Sequence, residues 1–254
     1  MKIKNIDTSE KVFIIAEIGN NHEGSYALAE EMIGLAAETG ADAVKFQTIV
    51  PERLVSIQQK ERIHQLKKFQ LSYNDFSKLA KVAKNQSVIF LSTPFDIESA
   101  EFLHDLVPAY KIASGDNDFF PLIEVIAKTG KPIIMSTGLM SLDEVKKSVF
   151  FIKNIWQASQ IKQDLALLHC VSSYPTPTDN ANISAIHELG KVADVVGYSD
   201  HTLGIDAAVL SACINARIIE KHFTVDNNYS DFRDHQLSAN PSDFKEMVDK
   251  IRNI

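Results

Sequence analysis

The chain has 254 residues, 45% of them hydrophobic, and a formal net charge of −7 at pH 7. This length and composition allow one domain with a sizeable core, and we predict a single domain over residues 1–254. The negative charge argues against binding to nucleic acid or to an anionic membrane, because both partners require a basic patch. No apolar run approaches the ~20 residues of a membrane span, and the start of the chain lacks a signal-peptide core. We therefore expect a cytoplasmic protein.

Short apolar runs alternate with segments of helical periodicity along the whole chain. We predict eight strands, at Val12–Ile18, Ala43–Phe46, Val88–Ser92, Ala109–Ile112, Pro132–Ser136, Leu165–Cys170, Val195–Ser199 and Ile218–Phe223. The clearest helices between or after them are predicted at Tyr26–Glu38, Tyr73–Lys84, Leu142–Ile155 and Ser242–Arg252. Repeated strand–helix units form a parallel sheet covered by helices, and eight units match barrel closure. We predict an α/β fold, a (β/α)8 TIM barrel. An open doubly wound sheet is the alternative.

Two further features of the chain lead to structural expectations. The second crossover is long: Val50–Leu71 is rich in Gln, Lys and Arg, and we expect a mobile rim loop or an oligomer contact there. Cys170 and Cys213 fit neither a metal-spaced nor a redox pair, so we expect two reduced, buried thiols.

The residues at which the strands stop are the candidate functional residues, because active sites of parallel barrels lie at the carboxyl ends of the strands. Strand one contains Glu17 in an otherwise apolar run. A buried carboxylate needs a cation or hydrogen-bond donors nearby. Glu17 is therefore a candidate acid, and a purely structural salt bridge to Lys45 or Lys111 is the alternative.

Lys45 and Lys111 each interrupt an apolar strand. A lysine inside a barrel reaches solvent only through the rim, and binding of phosphate or carboxylate is a common reason for such a position. A Schiff base is the rival functional interpretation for Lys111. Hydroxyl-bearing turns follow three strands, at Ser92–Phe95, Ser114–Gly115 and Ser136–Gly138. Each turn alone is ordinary, but together they suit phosphate oxygens.

Histidines end the last two predicted strands, in Tyr198–His201 and Ile218–Phe223. Neighbouring parallel strands place their ends close together, and imidazole is a common ligand of transition metals. His201 and His222 therefore predict a metal site with open coordination positions, suited to polarising a carbonyl oxygen. Two histidines that only support the structure are the alternative. His169, before the rim of strand six, is expected either in the interior or in catalysis.

Segments at the strand ends form a specific pattern when they are taken together and in order: Ile14–Gly24, Lys45–Thr48, Ser92–Phe95, Tyr110–Gly115, Ser136–Gly138, Tyr174–Pro177, Ser199–Thr202 and Glu220–Thr224. Over nearly the whole chain this pattern resembles the sialic acid synthase family. That family includes N-acetylneuraminate, legionaminate and pseudaminate synthases. They condense phosphoenolpyruvate with an N-acylated amino sugar, such as N-acetylmannosamine, to give a nine-carbon 2-keto acid and phosphate.

The resemblance implies roles for individual positions. It places a divalent metal, Mn²⁺ or Mg²⁺, on His201 and His222, with Glu17 and Gln47 beside the aldehyde end of the sugar. Tyr174 and Asp234 match positions on the sugar side. From the condensation chemistry itself, we expect Glu17 or Asp116 to transfer protons. The positions that match the surroundings of phosphoenolpyruvate are Lys45, Thr93, Lys111, Ser114, Ser136 and Ser199, and we add Phe95 from the same turn as Thr93.

The chain also departs from the family pattern. Asp116 stands where relatives often have glutamate, Ser172 stands near a frequent asparagine, and the segment around Asp234 is less rich in proline and glycine. Typical members continue into an antifreeze-like domain, which in a swapped dimer supplies an arginine to the partner's sugar site. We therefore expect a homodimer, and a sugar site that is completed by a separate antifreeze-like protein, by the chain's own loops, or not at all. Arg233 is one candidate cation, although a solvated loop arginine is the simpler interpretation.

Three functional hypotheses follow from the sequence. The first is a synthase of the sialic acid type that uses phosphoenolpyruvate and an N-acyl amino sugar. The second is a barrel aldolase or lyase that forms a Schiff base at Lys111. The third is a non-catalytic sugar-binding module, which the many polar strand ends disfavour because a structural barrel has no need of interior charges.

Overall fold

Eight parallel strands form a nearly closed barrel, which confirms the predicted (β/α)8 fold. The computed structural model describes residues 1–254. A two-stranded hairpin, β1 (Lys2–Ile3) and β2 (Ile6–Asp7), precedes the barrel. The barrel strands are β3 (Phe13–Gly19), β4 (Ala43–Thr48), β5 (Ile89–Pro94), β6 (Tyr110–Ile112), β7 (Ile133–Ser136), β8 (Leu165–His169), β9 (Val195–Asp200) and β10 (Ile218–His222). Hydrogen bonds link them in the order β5-β4-β3-β10-β9-β8-β7-β6, and β5 and β6 lie side by side at the seam.

Helices surround the barrel. They are α1 (Tyr26–Glu38), α2 (Pro51–Leu54), α3 (Lys60–Lys67), α4 (Tyr73–Asn85), α5 (Ile97–Leu103), α6 (Phe120–Lys128), α7 (Leu142–Ala158), α8 (Ala185–Leu189), α9 (Asp206–Cys213), α10 (Arg233–Leu237) and α11 (Pro241–Arg252). Both α4 and α7 begin with a capping box, in which Ser72 pairs with Asp75 and Ser141 with Glu144. None of the helices is long and apolar enough to cross a membrane.

Alternation along the strands divides the core into two parts. Outward side chains such as Ile14 pack with the helices in a cluster of 51 buried residues. Inward side chains such as Phe13 and Ile15 form a second cluster of 12 buried residues, which Ile3 of the hairpin closes at the amino end of the barrel. The next inward position of the same strand is Glu17, which lines a cavity at the carboxyl end. The interior therefore changes from apolar to charged along the strand direction.

The long second crossover contains two short helices, α2 and α3, so it is not the continuous loop that was expected. The alternative expectation, an oligomer contact, stays a prediction. Gly24 holds the loop after β3 against this crossover. Gly24 has a positive φ of 78°, and a Cβ atom there would lie 2.1 Å from the carbonyl oxygen of Lys68. The expectation for the cysteines is half correct, since Cys170 is buried but Cys213, at the end of α9, is exposed.

The last helix is attached to the first barrel strand by a buried ionic contact. Arg252 of α11 lies 2.6 Å from the carboxylate of Asp42 and donates a hydrogen bond of 2.5 Å to the carbonyl oxygen of Val12. Asp42 is buried, and it also accepts a hydrogen bond of 2.8 Å from the backbone N–H of Ile14. This contact joins the two ends of the barrel sequence at its amino-terminal side.

We predict that Arg252→Met lowers the free energy of unfolding by about 1.5 to 3 kcal/mol, because it removes hydrogen bonds that involve a charged group from a buried carboxylate. Urea unfolding at neutral pH measures the effect. Lys250→Met in the same helix is the matched control: Lys250 pairs with Glu246 at the surface, where an ion pair contributes about 0 to 1 kcal/mol. Equal losses in the two variants would contradict the assignment.

Candidate active site

A cavity of 570 Å³ opens at the carboxyl ends of the barrel strands. Every site residue predicted from the sequence lines it except Asp116: Glu17, Lys45, Gln47, Thr93, Phe95, Lys111, Ser114, Ser136, Tyr174, Ser199, His201, His222 and Asp234. Its volume is typical of pockets for small molecules. A cavity of 610 Å³ between α1 and α11 is slightly larger, but polar side chains such as Glu38, Lys245 and Asp249 dominate its lining. Of these two cavities, only the one at the carboxyl ends of the strands is lined by buried charged side chains, and it is the candidate site.

Four buried ionisable side chains form the floor of the cavity. Nζ of Lys45 lies 2.6 Å from Oε2 of Glu17 and 3.6 Å from Oε2 of Glu220. Nζ of Lys111 lies 3.6 Å from Oε1 of Glu220, which also accepts a hydrogen bond of 2.8 Å from Ser199. We call Glu17, Lys45, Lys111 and Glu220 the charge cluster. Glu17 is thus both paired with Lys45, as the structural alternative predicted, and exposed to the cavity.

The two carboxylates of the charge cluster differ in their ionisation. Burial opposes ionisation of Glu220, but Lys111 and Lys45 outweigh it and lower its pKa to about 2. Burial raises the pKa of Glu17, and Lys45 only partly offsets this effect. Glu220 is therefore a permanent anion, whereas Glu17 is the carboxyl that can carry a proton.

The two lysines also differ. Burial disfavours the ammonium form of both, yet the pKa of Lys45 is raised because Glu17 and Glu220 outweigh the burial. Burial lowers the pKa of Lys111, with Glu220 opposing it. Each lysine donates a hydrogen bond to a hydroxyl at the end of a neighbouring strand: Lys45 to Thr93 at 3.2 Å and Lys111 to Ser136 at 2.8 Å. Ammonium and hydroxyl groups thus alternate along one wall of the cavity.

The turn after β7, which contains Gly138, completes this wall. The backbone N–H of Gly138 donates a hydrogen bond of 3.1 Å to Ser114, whose hydroxyl lies 3.0 Å from the thiol of Cys170. A Cβ atom at Gly138 would lie 2.6 Å from the hydroxyl of Ser172 and 2.8 Å from that of Ser114. Glycine is therefore required for these hydroxyls to converge.

His201 and His222 face each other across the opposite wall, with ring centroids 5.6 Å apart. Nδ1 of His201 lies 2.8 Å from the carbonyl oxygen of Val171, so Nδ1 donates and Nε2 keeps a free lone pair. Nδ1 of His222 is buried and has no hydrogen-bond partner. Burial lowers the pKa of both histidines to about 4, which leaves both rings neutral at pH 7.

These two rings fit a divalent cation through their donor chemistry. Metal-bound histidines usually donate the second ring N–H to a carbonyl or carboxylate, as His201 does to Val171. No group of three or more His, Cys, Asp or Glu side chains is arranged to hold a metal. A cation there would thus take two protein nitrogens and fill its remaining positions with water or ligand oxygen atoms.

The mouth of the cavity is aromatic and charged. The ring of Tyr174 packs against His201 at 4.2 Å, and the guanidinium of Arg233 lies 5.0 Å above the ring of Tyr174. Arg233 also lies 3.2 Å from Asp234 and is largely exposed. Arg233 is therefore exposed to solvent, as the simpler interpretation expected, and it also lies at the mouth of the cavity. The crossover adds Arg62, among other residues, to the lining.

The prediction of Asp116 as a cavity residue is not supported by its position. The turn after β6 closes with a hydrogen bond from the N–H of Asp116 to the carbonyl oxygen of Ala113, and its Oδ2 is buried without a partner. Ala113, Ser114 and Gly115 line the cavity, but Asp116 does not. Burial raises its pKa to about 6, and Asp118 contributes to the shift.

Glu220 lines the cavity but was not among the residues predicted from the sequence. Its signal is the same as that of Glu17, a carboxylate inside an apolar strand, and His222 at the end of the same strand is the more conspicuous residue. His169 takes the interior role that was one of its two expectations: its Nε2 lies 2.9 Å from the carbonyl oxygen of Ala181, and it does not line the cavity.

Comparison with known proteins identifies similar chains. The sequence model of the NeuB family matches residues 32–254. An uncharacterised protein of Methanocaldococcus jannaschii is 44% identical over 98% of this chain and 72% of its own length. The N,N'-diacetyllegionaminic acid synthase of Campylobacter jejuni is 37% identical over 96% of this chain and 77% of its own length.

A solved structure has the same fold over the whole chain. The crystal structure of the N-acetylneuraminic acid (sialic acid) synthetase of Leptospira borgpetersenii matches with a TM-score of 0.92 and 35% identity, over 100% of this chain and 87% of that one. The resemblance to sialic acid synthases that the strand ends predicted is confirmed.

The partly buried carboxyl of Asp116 leads to a prediction about the pH dependence of stability. Its raised pKa favours the protonated form in the folded state, so its contribution to stability is present below its ordinary pKa and is lost as pH rises through about 6. Asp116→Asn resembles the protonated form. We expect the variant to gain stability over the parent as pH rises from about 4 to 6, with a constant gain of about 1 to 2 kcal/mol above pH 7.

Urea unfolding of the parent and variant at several pH values measures this gain. The expected gain in stability is smaller than the free energy that corresponds to the full pKa shift, because the carboxyl is partly exposed to solvent. Asp194→Asn, at an exposed aspartate outside this turn, is the matched control and should show a much smaller dependence on pH. A gain for Asp116→Asn that is the same at pH 4 and pH 8 would refute the raised pKa.

Proposed function

The chain belongs to the NeuB family, and on that basis we propose that it condenses phosphoenolpyruvate with an N-acylated amino sugar, such as N-acetylmannosamine, to give a nine-carbon 2-keto sugar acid and phosphate. The observation that carries the proposal is the convergence of two kinds of group on one cavity. Lys45 and Lys111 with their hydroxyl partners suit an anionic phosphoenol, and the neutral rings of His201 and His222 suit a metal.

Phosphoenolpyruvate would bind along the wall of the cavity that carries Lys45 and Lys111. Lys45 and Lys111 carry positive charge at opposite sides of Glu220, and the hydroxyls of Thr93 and Ser136 already accept hydrogen bonds from them. Ser114 and Ser199 add further hydroxyl groups on the same cavity. Charge-assisted hydrogen bonds from ammonium groups to carboxylate and phosphate oxygens are stronger than neutral ones.

A divalent cation, Mn²⁺ or Mg²⁺, would be held by Nε2 of His201 and by the ring of His222. When bound, such a cation supplies Lewis acidity towards the aldehyde oxygen of the sugar. Glu17 and Gln47 lie beside this position: Gln47 donates a hydrogen bond of 3.0 Å to Glu17, and His222 is the register partner of Glu17 on the neighbouring strand. These side chains orient the aldehyde end of the acceptor.

The reaction balances with one water molecule. The methylene carbon of phosphoenolpyruvate attacks the aldehyde carbon, which forms the new C–C bond, and the aldehyde oxygen takes up a proton. Water then adds to the cationic carbon that carries the phosphate and loses a proton. Cleavage of the bond between that carbon and the phosphate oxygen gives the ketone and phosphate. Glu17 is the proton carrier of this scheme because its pKa is raised, whereas Glu220 stays ionised and stabilises positive charge.

The acceptor sugar would occupy the mouth of the cavity. Tyr174 offers an aromatic face, Asp234 a carboxylate for sugar hydroxyls, and Phe95 an apolar contact. Arg62 and Arg233 are the two arginines that line the cavity. The homodimer and the separate antifreeze-like protein implied by the family resemblance stay predictions.

One observation favours a second function. Burial lowers the pKa of Lys111, and an uncharged amine is the form that attacks a carbonyl carbon to form a Schiff base. An aldolase or lyase that uses Lys111 would not release phosphate during its reaction. The position of Lys111 between the anion Glu220 and the hydroxyl of Ser136 instead suits an ammonium ion, and we prefer the condensation.

Phosphate release tests the proposed function. We expect the chain to liberate phosphate from phosphoenolpyruvate only when Mn²⁺ and an acceptor from a panel of N-acyl hexosamines are both present. Lys111→Met should raise the KM for phosphoenolpyruvate roughly tenfold to hundredfold, the effect of losing a charge-assisted hydrogen bond. Lys191→Met, which removes a surface lysine, is the matched control.

Two outcomes would contradict the proposal. Phosphate release that is absent with every acceptor, although phosphoenolpyruvate binds, would favour a binding module. Reduction with borohydride in the presence of a carbonyl substrate, followed by mass spectrometry, tests the aldolase: a covalent adduct at Lys111 would favour the Schiff-base mechanism over the condensation.

A further inference from the structure

A buried ion pair lies behind the barrel wall at the metal side of the cavity. Asp200 ends β9, Lys221 precedes the last residue of β10, and both side chains are 0% exposed. Nζ of Lys221 lies 2.9 Å from Oδ2 of Asp200. Because side chains alternate along a strand, this pair points to the helix layer, while Ser199 and Glu220 point into the cavity. The pair therefore touches no group that lines the cavity floor.

The same ammonium group also holds the segment beyond the strand. Nζ of Lys221 donates a hydrogen bond of 2.6 Å to the carbonyl oxygen of Thr202. Oδ1 of Asp200 accepts hydrogen bonds from the N–H of Thr202 at 2.9 Å and from its hydroxyl at 2.8 Å. Residues 200 and 202 are thus both tied to Lys221, and His201 lies between them.

The position of the backbone ladder makes this link important. The register of β9 and β10 ends at the pair Asp200 and Lys221, so His201 and His222 are the first residues beyond it. The bond from Lys221 to Thr202 adds a side-chain link between the two strands at the point where their register ends.

Stability alone does not explain the pair. An ion pair taken out of water is often no more stabilising than apolar side chains of similar volume, because the desolvation cost offsets the attraction. Its two partners and their additional hydrogen bonds do, however, define one geometry for residues 200–202. The physical consequence of the pair is therefore the position of the strand ends.

We propose that Asp200 and Lys221 are positioning residues that set the separation of His201 and His222 from behind the barrel wall. The inference rests on the proposed function, in that it takes the two histidines as metal ligands. Val171 orients the ring of His201 from the neighbouring loop, and Lys221 fixes the backbone that carries this ring relative to β10. Loss of the pair lets the two ring nitrogens move apart without removing either ligand.

Binding of Mn²⁺ to the protein without substrates tests the inference. Electron paramagnetic resonance of free Mn²⁺ gives the dissociation constant directly and needs no turnover. Groups that support metal ligands typically change metal affinity tenfold to hundredfold when they are removed, and we expect a weakening of this size. Lys221→Met alone leaves Asp200 as an uncompensated buried charge, so the decisive variant is the doubly neutral Asp200→Asn with Lys221→Met.

The matched control is the ion pair at the opposite end of the barrel. Asp42→Asn with Arg252→Met also removes a buried carboxylate–cation contact, but it lies far from the histidines in the fold. We expect this control to lose stability in urea unfolding and to keep the parental dissociation constant for Mn²⁺. The Asp200 and Lys221 double variant should instead remain folded by circular dichroism and bind Mn²⁺ more weakly.

The outcomes separate the inference from the function on which it rests. If the parent and control bind Mn²⁺ and the folded double variant binds it as tightly, the positioning role is refuted while the metal site stands. If the parent binds no Mn²⁺, or if His222→Ala binds it as tightly as the parent, the metal assignment fails and the inference fails with it. Weakening in the double variant and control alike would also refute a role specific to this pair.

Discussion

The structure depends on placing the charge cluster inside a barrel. Glu17, Lys45, Lys111 and Glu220 are buried, and isolated charges in such surroundings cost several kcal/mol each. The cluster is tolerable because its two carboxylates and two ammonium groups alternate within 3.6 Å of one another. Four different strands supply the four groups, so the barrel must close with one register for any of them to be paired. The same contacts therefore link the fold to the site.

The neutrality of the cluster has a consequence for ligands under the proposed function. An anionic phosphoenol would bring uncompensated negative charge into a region of low polarity, and neutral histidines do not offset it. A divalent cation at His201 and His222 would offset most of this charge, since both ligands would lie on the same cavity. The permanent charge of Glu220 and the raised pKa of Glu17 divide the remaining tasks, so that one carboxylate stabilises the cations and the other exchanges a proton.

Much of this arrangement is predictable from strand alternation, and the failures have identifiable physical reasons. Apolar runs predicted all eight barrel strands because both faces of each are buried, and residues at or near the strand ends predicted about half of the cavity lining. Glu220 was missed because its importance arises from partners on other strands, which a single run does not reveal. Asp116 was misplaced because one turn decides which of its residues faces the cavity. The helices of the Val50–Leu71 crossover are short and polar, with one buried residue each, so helical periodicity gives little signal there.

Under the proposed function, the bond between carbon and oxygen in phosphoenolpyruvate breaks after a new carbon–carbon bond has formed. Phosphoenolpyruvate labelled with oxygen-18 at the bridging position between carbon and phosphorus tests this reaction, with Mn²⁺ and the accepted N-acyl amino sugar present. Mass spectrometry of the released phosphate reads the result. The account predicts that the phosphate carries the label, because the bridging oxygen leaves with phosphorus. Unlabelled phosphate would place the cleavage between oxygen and phosphorus and would contradict the proposed reaction.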